Sequence, residues 1–182
     1  MKFEEFISAH ITGPLGVCDP LPQTGIFAGN SVQWIGVPVA HPVSEPSGGA
    51  GGVASMRAFL EVASLLANGG VGVTSGARIL NAVSIQEMLR DELSSTRLSY
   101  PNPLPSAAGT TIAGEMNLEP LSNGRATGAV TWGGANGQYW SVDPASGTVC
   151  VSAAQVMPFL HPHTLEPFLE CEKAILDSVR AE

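Results

Sequence analysis

The sequence predicts an α+β fold, an antiparallel sheet with packed helices. Three observations carry this reading. Helices and loops fill the first 110 residues or so, strand-like segments follow from residue 111, and a helical pattern returns at the C-terminus. The 21 glycines and 14 prolines follow no repeat, so they mark turns and loops. Hydrophobic residues make up 44% and charged residues 13%, which argues against a disordered chain or a coiled coil.

Phe3, Phe6, Ile7 and Ile11 fall at helical spacing, so residues 3 to 11 read as a short amphipathic helix that Gly13-Pro14-Leu15-Gly16 ends. Residues 18 to 52 read as an extended loop with a short strand near Val32 to Val37. Ser55 is placed to cap the next helix, whose apolar stripe runs from Phe59 to Ala67 and which Asn68-Gly69-Gly70 terminates. Ser84 and Glu87 have the spacing of a capping box for a helix burying Ile85, Met88 and Leu89. Residues 94 to 110 read as loop. Ala126 to Trp132, Gln138 to Val142 and Thr148 to Gln155 read as strands, the last two joined as a hairpin through Asp143-Pro144-Ala145-Ser146-Gly147. A closing amphipathic helix spans about Leu165 to Val179 and covers the hairpin. The chain is taken as one unit, 1–182, with helices and loops over 1–110 and strands plus a closing helix over 111–182.

The net charge is −8, and the only lysines are Lys2 and Lys173. Without a basic face, nucleic acid and anionic membranes are not expected partners. No segment approaches the roughly 18 apolar residues of a membrane span, and the acidic N-terminus is no secretory signal, so a cytoplasmic location is expected. Cys18, Cys150 and Cys171 make no metal-binding spacing and read as reduced thiols.

Several residues invite a chemical role and have a simpler one. His161-Pro162-His163 could share a metal, but no acidic or thiol ligand is fixed beside it, so it reads as exposed histidines between strand and helix. His10 and His41 stand alone. Ser55 follows the glycine run Gly48 to Gly52, and its place at the helix start gives it a sufficient role as a cap. Glu166, Glu170, Glu172 and Asp177 read as the solvated face of the last helix. Tyr139 and Trp140 alternate, so one faces the core and the other a cleft or solvent.

Several segments, in order, resemble the serine β-lactamase-related superfamily, which includes class C β-lactamases, family VIII esterases and lovastatin-type acyltransferases. They are Phe3 to Val17 ending in Gly13-Pro14-Leu15-Gly16, Gly48 to Gly70, Gly76-Ala77-Arg78-Ile79-Leu80 with Ser84 to Met88, Thr131 to Gly137, Asp143-Pro144, and Gln155 to Phe159. The resemblance implies the C-terminal part of a β-lactamase/transpeptidase-like fold. It departs where the chemistry begins: no serine is followed three residues later by lysine, and nothing precedes the first helix to supply the second motif. Tyr100-Pro101-Asn102 spells Y-x-N on the wrong side of the helices and reads as chance.

By that resemblance, Trp132, Gly133, Gly134 and Ala135 form the third active-site motif. The Ala135 N–H would be one oxyanion donor, and the two glycines would let substrate approach the strand backbone. Trp132 stands where relatives carry a lysine for carboxylate-bearing substrates, which implies a neutral ester or acyl-thioester substrate. The reading is a serine hydrolase or acyltransferase, of the fungal secondary-metabolite branch, with no cofactor, no metal and no complete catalytic set in this chain. The alternative is a non-catalytic remnant or interaction module that self-associates or pairs with a partner chain.

Overall fold

The computed structural model describes residues 1–17, 33–34, 37–38, 54–93, 108–154 and 156–181. Cys18, His41, the run Gly48 to Gly52, Tyr100-Pro101-Asn102 and Gln155 lie outside the described residues.

The first element is longer than its periodicity suggests. α1 (Phe3–Ile7) passes into a π-helical turn at Ser8–Thr12 and then into α2 (Gly13–Leu15), so Gly13 and Pro14 continue the helix. Pro14 sits at the start of α2, where its missing N–H costs nothing, and Gly16, at φ 70°, ends it. Leu15 is buried, whereas Phe3 and Phe6 are exposed. Two two-residue strands, β1 (Gln33–Trp34) and β2 (Val37–Pro38), pair antiparallel where one short strand was expected.

α3 (Met56–Ala67) starts where expected, with the Ser55 side chain accepting from the Ala58 N–H at 3.2 Å. It ends with the Gly70 N–H donating to the Leu65 carbonyl at 2.8 Å. Gly70 has φ 84°, and a Cβ there would lie 2.2 Å from the Leu80 carbonyl oxygen, so no other residue fits. α4 (Ala82–Met88) is capped by Asn81 rather than Ser84: the Asn81 side chain accepts from the Ser84 N–H at 2.8 Å. The Ser84–Glu87 spacing was misleading because Asn81 caps as well as serine and lies three residues earlier.

Five strands form one antiparallel sheet in the order β3-β4-β5-β6-β7: β3 (Ala108–Thr110), β4 (Glu115–Asn117), β5 (Val130–Gly134), β6 (Gln138–Asp143) and β7 (Thr148–Ala153). The first two are too short to show a period, and residues 108–110 fall within the stretch read as loop. β5 begins at Val130, four residues later than expected, because Ala126 to Ala129 form a turn against β4: Gly128 N–H donates to the Asn117 carbonyl at 2.8 Å. The β6–β7 hairpin is as expected, and Asp143 builds its turn by accepting from the N–H groups of Ala145 and Ser146.

α5 (Pro162–Arg180) closes the fold. The sheet lies between two helical layers. On one face, Val142 and Trp140 pack with Ala63 and Leu66 of α3 and Ile85 of α4. On the other, Tyr139 and Cys150 pack with Phe168 of α5. Tyr139 is buried and Trp140 is half-buried, as alternation requires. Among the described residues no helix is long and apolar enough to cross a membrane.

Glu172 corrects the reading of α5. Glu166, Glu170 and Asp177 are exposed, but Glu172 is 1% exposed. Its Oε1 accepts from Arg125 Nε at 2.6 Å and from the Ser141 hydroxyl, and its Oε2 accepts from Asn123 Nδ2 at 2.7 Å. Arg125 is equally buried, its guanidinium 5.9 Å from the Phe168 ring centre. This ion pair ties the 121–128 turn, β6 and α5 together.

Candidate functional site

The residues that resemble the third motif, Trp132 to Ala135, lie where β5 leaves the core. Val130 is 0% exposed, Thr131 2% and Trp132 49%. Trp132 pairs across the strands with Trp140, and Phe59 of α3 meets the Trp140 ring edge-on at 6.4 Å. Trp132 is therefore an apolar surface at the sheet's end, continuous with the α3 side of the core.

The backbone beyond Trp132 is open on one side. Gly134 and Gln138 form the last β5–β6 pair, and the Gly137 N–H closes the turn on the Gly134 carbonyl at 3.0 Å. Gly134 thus faces β6, and by alternation Gly133 and Ala135 turn their N–H and C=O groups the other way. On that side β4 pairs with β5 only as far as Thr131. Among the described residues the Ala135 N–H has no backbone partner. The turn itself is held from behind, since Ala154 N–H donates to the Gly137 carbonyl at 3.2 Å and Val156 N–H to the Asn136 carbonyl at 3.1 Å.

The two glycines differ. A Cβ on Gly133 would lie 2.9 Å from the Phe159 ring and 3.1 Å from the Gln138 carbonyl oxygen, so packing against the α5 side demands glycine there. A Cβ on Gly134 would meet only the mobile end of the Gln138 side chain, at 2.6 Å. Packing therefore accounts for Gly133 more fully than for Gly134.

The other candidates have structural duties. Ser55 caps α3, and Lys173 pairs with Asp177 along α5. His161 caps α5, its Nδ1 accepting from the His163 N–H at 3.3 Å. Among the described residues no group of His, Cys, Asp and Glu could hold a metal. A groove of about 290 Å³ lies between the end of α2 and the start of α3, but its one carboxylate, Glu61, accepts from both the N–H and the hydroxyl of Thr74, at 2.8 and 2.9 Å. Burial and the nearby Glu172 push the Cys150 thiol up to about 11, so it is no nucleophile near neutral pH.

Sequence reasoning missed the burial of two carboxylates, Glu172 and Glu61. Glu172 carried a signal, because it stands four residues from both Phe168 and Leu176, the centre of the α5 apolar stripe. Glu61 lies three residues after Ala58 and four before Leu65, both buried.

No protein-family model matches the sequence. The search of curated proteins finds no match. Solved structures do match. Unliganded simvastatin synthase (LovD) from Aspergillus terreus superposes with a TM-score of 0.71 at 20% identity, over 98% of this chain and 50% of that one. Its LovD6 mutant gives 0.72 at 20% identity, again over 98% and 50%. EstCE1, a hydrolase with promiscuous acyltransferase activity, gives 0.60 at 17% identity, over 94% of this chain and 50% of that one. The chain spans about half the length of the structures it matches. Its α+β fold is that of these β-lactamase-like proteins, as the resemblance implied.

Proposed function

We propose that this chain carries one wall of a serine acyl-transfer site, completed by a polypeptide that bears S-x-x-K. The observation that carries the reading is the open edge of β5, where the Ala135 N–H has no backbone partner among the described residues and lies beside an exposed Trp132. The fold it shares with an acyltransferase and a hydrolase supports the same reading.

In this scheme the supplied serine Oγ attacks the carbonyl carbon of an ester or acyl thioester. The serine proton passes to its lysine-assisted base, and negative charge collects on the carbonyl oxygen. The Ala135 N–H and the nucleophile's own N–H stabilise that oxygen. The carbonyl re-forms, the alcohol or thiol leaves with the proton, and a hydroxyl acceptor or water then takes the acyl group by the reverse steps. Trp132 offers an apolar wall with no cation, which favours neutral substrates such as those of secondary metabolism. A second reading, a non-catalytic interaction module, is favoured by one observation: no serine in the sequence has a lysine three residues on.

The purified 182-residue chain should not hydrolyse p-nitrophenyl butyrate. Protein expressed from the natural locus, with all that reads through in frame, should do so. There Ala135→Pro removes the donor at a turn position that suits proline, and should lower kcat by roughly 10²–10³ with KM little changed. Turnover by the chain alone, or an Ala135→Pro enzyme with full kcat, would contradict the reading.

A further inference from the structure

Tyr139 of β6 is 0% exposed and stands opposite Gly133 of β5 in the strand register. A Cβ on Gly133 would lie 3.2 Å from Tyr139 Cδ1 and 2.9 Å from the Phe159 ring, so the two aromatic rings lie directly against that glycine. Phe159 and Phe168 pack on the Tyr139 ring, with centroids 6.0 and 5.7 Å away. An aromatic cluster of this kind needs only a phenylalanine at position 139. The hydroxyl is an addition, and a buried hydroxyl is costly unless it finds partners.

Its partners lie between β7 and α5, and at the start of α5. The hydroxyl accepts from the Leu160 N–H at 3.0 Å and lies 3.3 Å from Thr164 Oγ1. The single proton of the Thr164 hydroxyl goes to the His161 carbonyl, at 2.9 Å. The Tyr139 proton therefore goes to Thr164, and the hydrogen-bond chain from Leu160 through Tyr139 and Thr164 to His161 is complete. It secures a residue whose backbone is not at ease, since Leu160 has φ 63°, in the left-handed region that a leucine rarely adopts. The segment from Val156 to His161, so anchored, also holds the turn after β5. Val156 N–H donates to the Asn136 carbonyl at 3.1 Å, and a Cβ on Gly137 would meet the Val156 carbonyl oxygen at 3.0 Å and Thr164 Oγ1 at 3.5 Å.

We infer that Tyr139 is a positioning residue for the acyl-transfer site: its hydroxyl anchors the segment Val156 to His161, and that segment fixes the turn that aims the Ala135 N–H. Ala135 stands between two tethered carbonyls. That of Gly134 accepts from the Gly137 N–H at 3.0 Å, and that of Asn136 accepts from Val156. With both neighbours tied, the peptide that carries the Ala135 N–H has little freedom to rotate. An oxyanion donor must keep its aim as charge gathers, and a misplacement of about 1 Å can cost about 10²-fold in rate. Tyr139, fully buried, touches no substrate and acts through the backbone alone. Its catalytic meaning rests on the acyl-transfer reading, whereas the link from hydroxyl to turn belongs to these 182 residues and is measured without any activity.

Tyr139→Phe keeps the ring and deletes the hydroxyl. In the purified chain, amide exchange at Leu160, Val156 and Gly137 should quicken about tenfold, while Val142, farther along β6, keeps its rate. Thr164→Val cuts the other end of the same hydrogen-bond chain and should quicken the same amides, whereas Thr164→Ser restores the hydroxyl and should leave them as in the parent. In the protein expressed from the natural locus, Tyr139→Phe should lower kcat on p-nitrophenyl butyrate roughly tenfold with KM little changed, and Thr164→Ser should keep the parent's kcat. Exchange at Val156 and Gly137 that ignores both Tyr139→Phe and Thr164→Val would overturn the inference. So would quickening shared equally by Val142, which marks general loosening, and so would a Tyr139→Phe enzyme with full kcat. A parent protein without esterase activity would sink the acyl-transfer reading and the catalytic role with it, and the exchange rates would still decide whether the hydroxyl holds the turn.

Discussion

Truncating Glu172 to alanine removes the carboxylate that three separate segments hold. It deletes the bonds from Arg125, Ser141 and Asn123, and it leaves the Arg125 guanidinium, 1% exposed, without this counter-charge. Breaking a buried ion pair from one side typically costs about 3–5 kcal/mol. A domain of this kind has a total stability of about 5–15 kcal/mol, so roughly a fifth or more of it should disappear. With a urea slope of about 2 kcal/mol/M the midpoint should fall by roughly 2 M. Glu172→Gln keeps the shape and some acceptor capacity, and should cost less, about 2–3 kcal/mol. Replacing both partners, as Arg125→Met with Glu172→Leu, should recover much of the loss, because no charge is then stranded. Urea unfolding followed by tryptophan fluorescence measures the parent, these variants and the Arg125→Met and Glu172→Leu singles. A Glu172→Ala chain within about 1 kcal/mol of the parent, or a double variant whose loss is the sum of the singles, would refute the claim that this pair pins the layers.

Four further outcomes follow from the same structure. Gly70→Ala should cost more than about 3 kcal/mol because its Cβ has no room, whereas Gly69→Ala, at φ 60° with nothing within 4 Å, should cost only about 1–2 kcal/mol; thermal melts compare them. Native thiol labelling should modify the exposed Cys171 and spare the buried Cys150 until urea is added, as peptide mapping would report. The fold favours the neutral Cys150 thiol, so its contribution to stability is present below the ordinary thiol range and lost as pH rises through it toward 11; Cys150→Ala should flatten that alkaline decline in urea midpoints. Glu61→Ala should release Thr74, costing about 1–3 kcal/mol and speeding amide exchange at Thr74 itself.

Long periodic elements were legible in the sequence, and short or tertiary ones were not. α3, the β6–β7 hairpin and α5 show their period over enough residues to identify them, and Ser55, Asn68 to Gly70 and Asp143 carry end signals with a local cause. β3 and β4 hold three residues each and depend on pairing, which no local pattern records. α1 continues past Thr12 because Gly13 and Pro14 are acceptable at a helix start, a case where stop signals and start signals coincide. At the candidate site the order of residues from Trp132 to Ala135 was readable. Its open side was not, since that depends on where β4 stops. Glu172 was misread because a carboxylate in an acidic helix is ordinarily solvated, and its partners lie 31 to 49 positions away.

We propose that the edge at Gly133 to Ala135 belongs to a serine acyl-transfer site whose nucleophile lies outside these 182 residues. Reading the full transcript upstream of the Met1 codon tests this most directly. The expected result is an open frame carrying S-x-x-K and then Y-x-N before Phe3. A frame that closes just before Met1 would contradict it and leave the self-associating module as the reading of this chain.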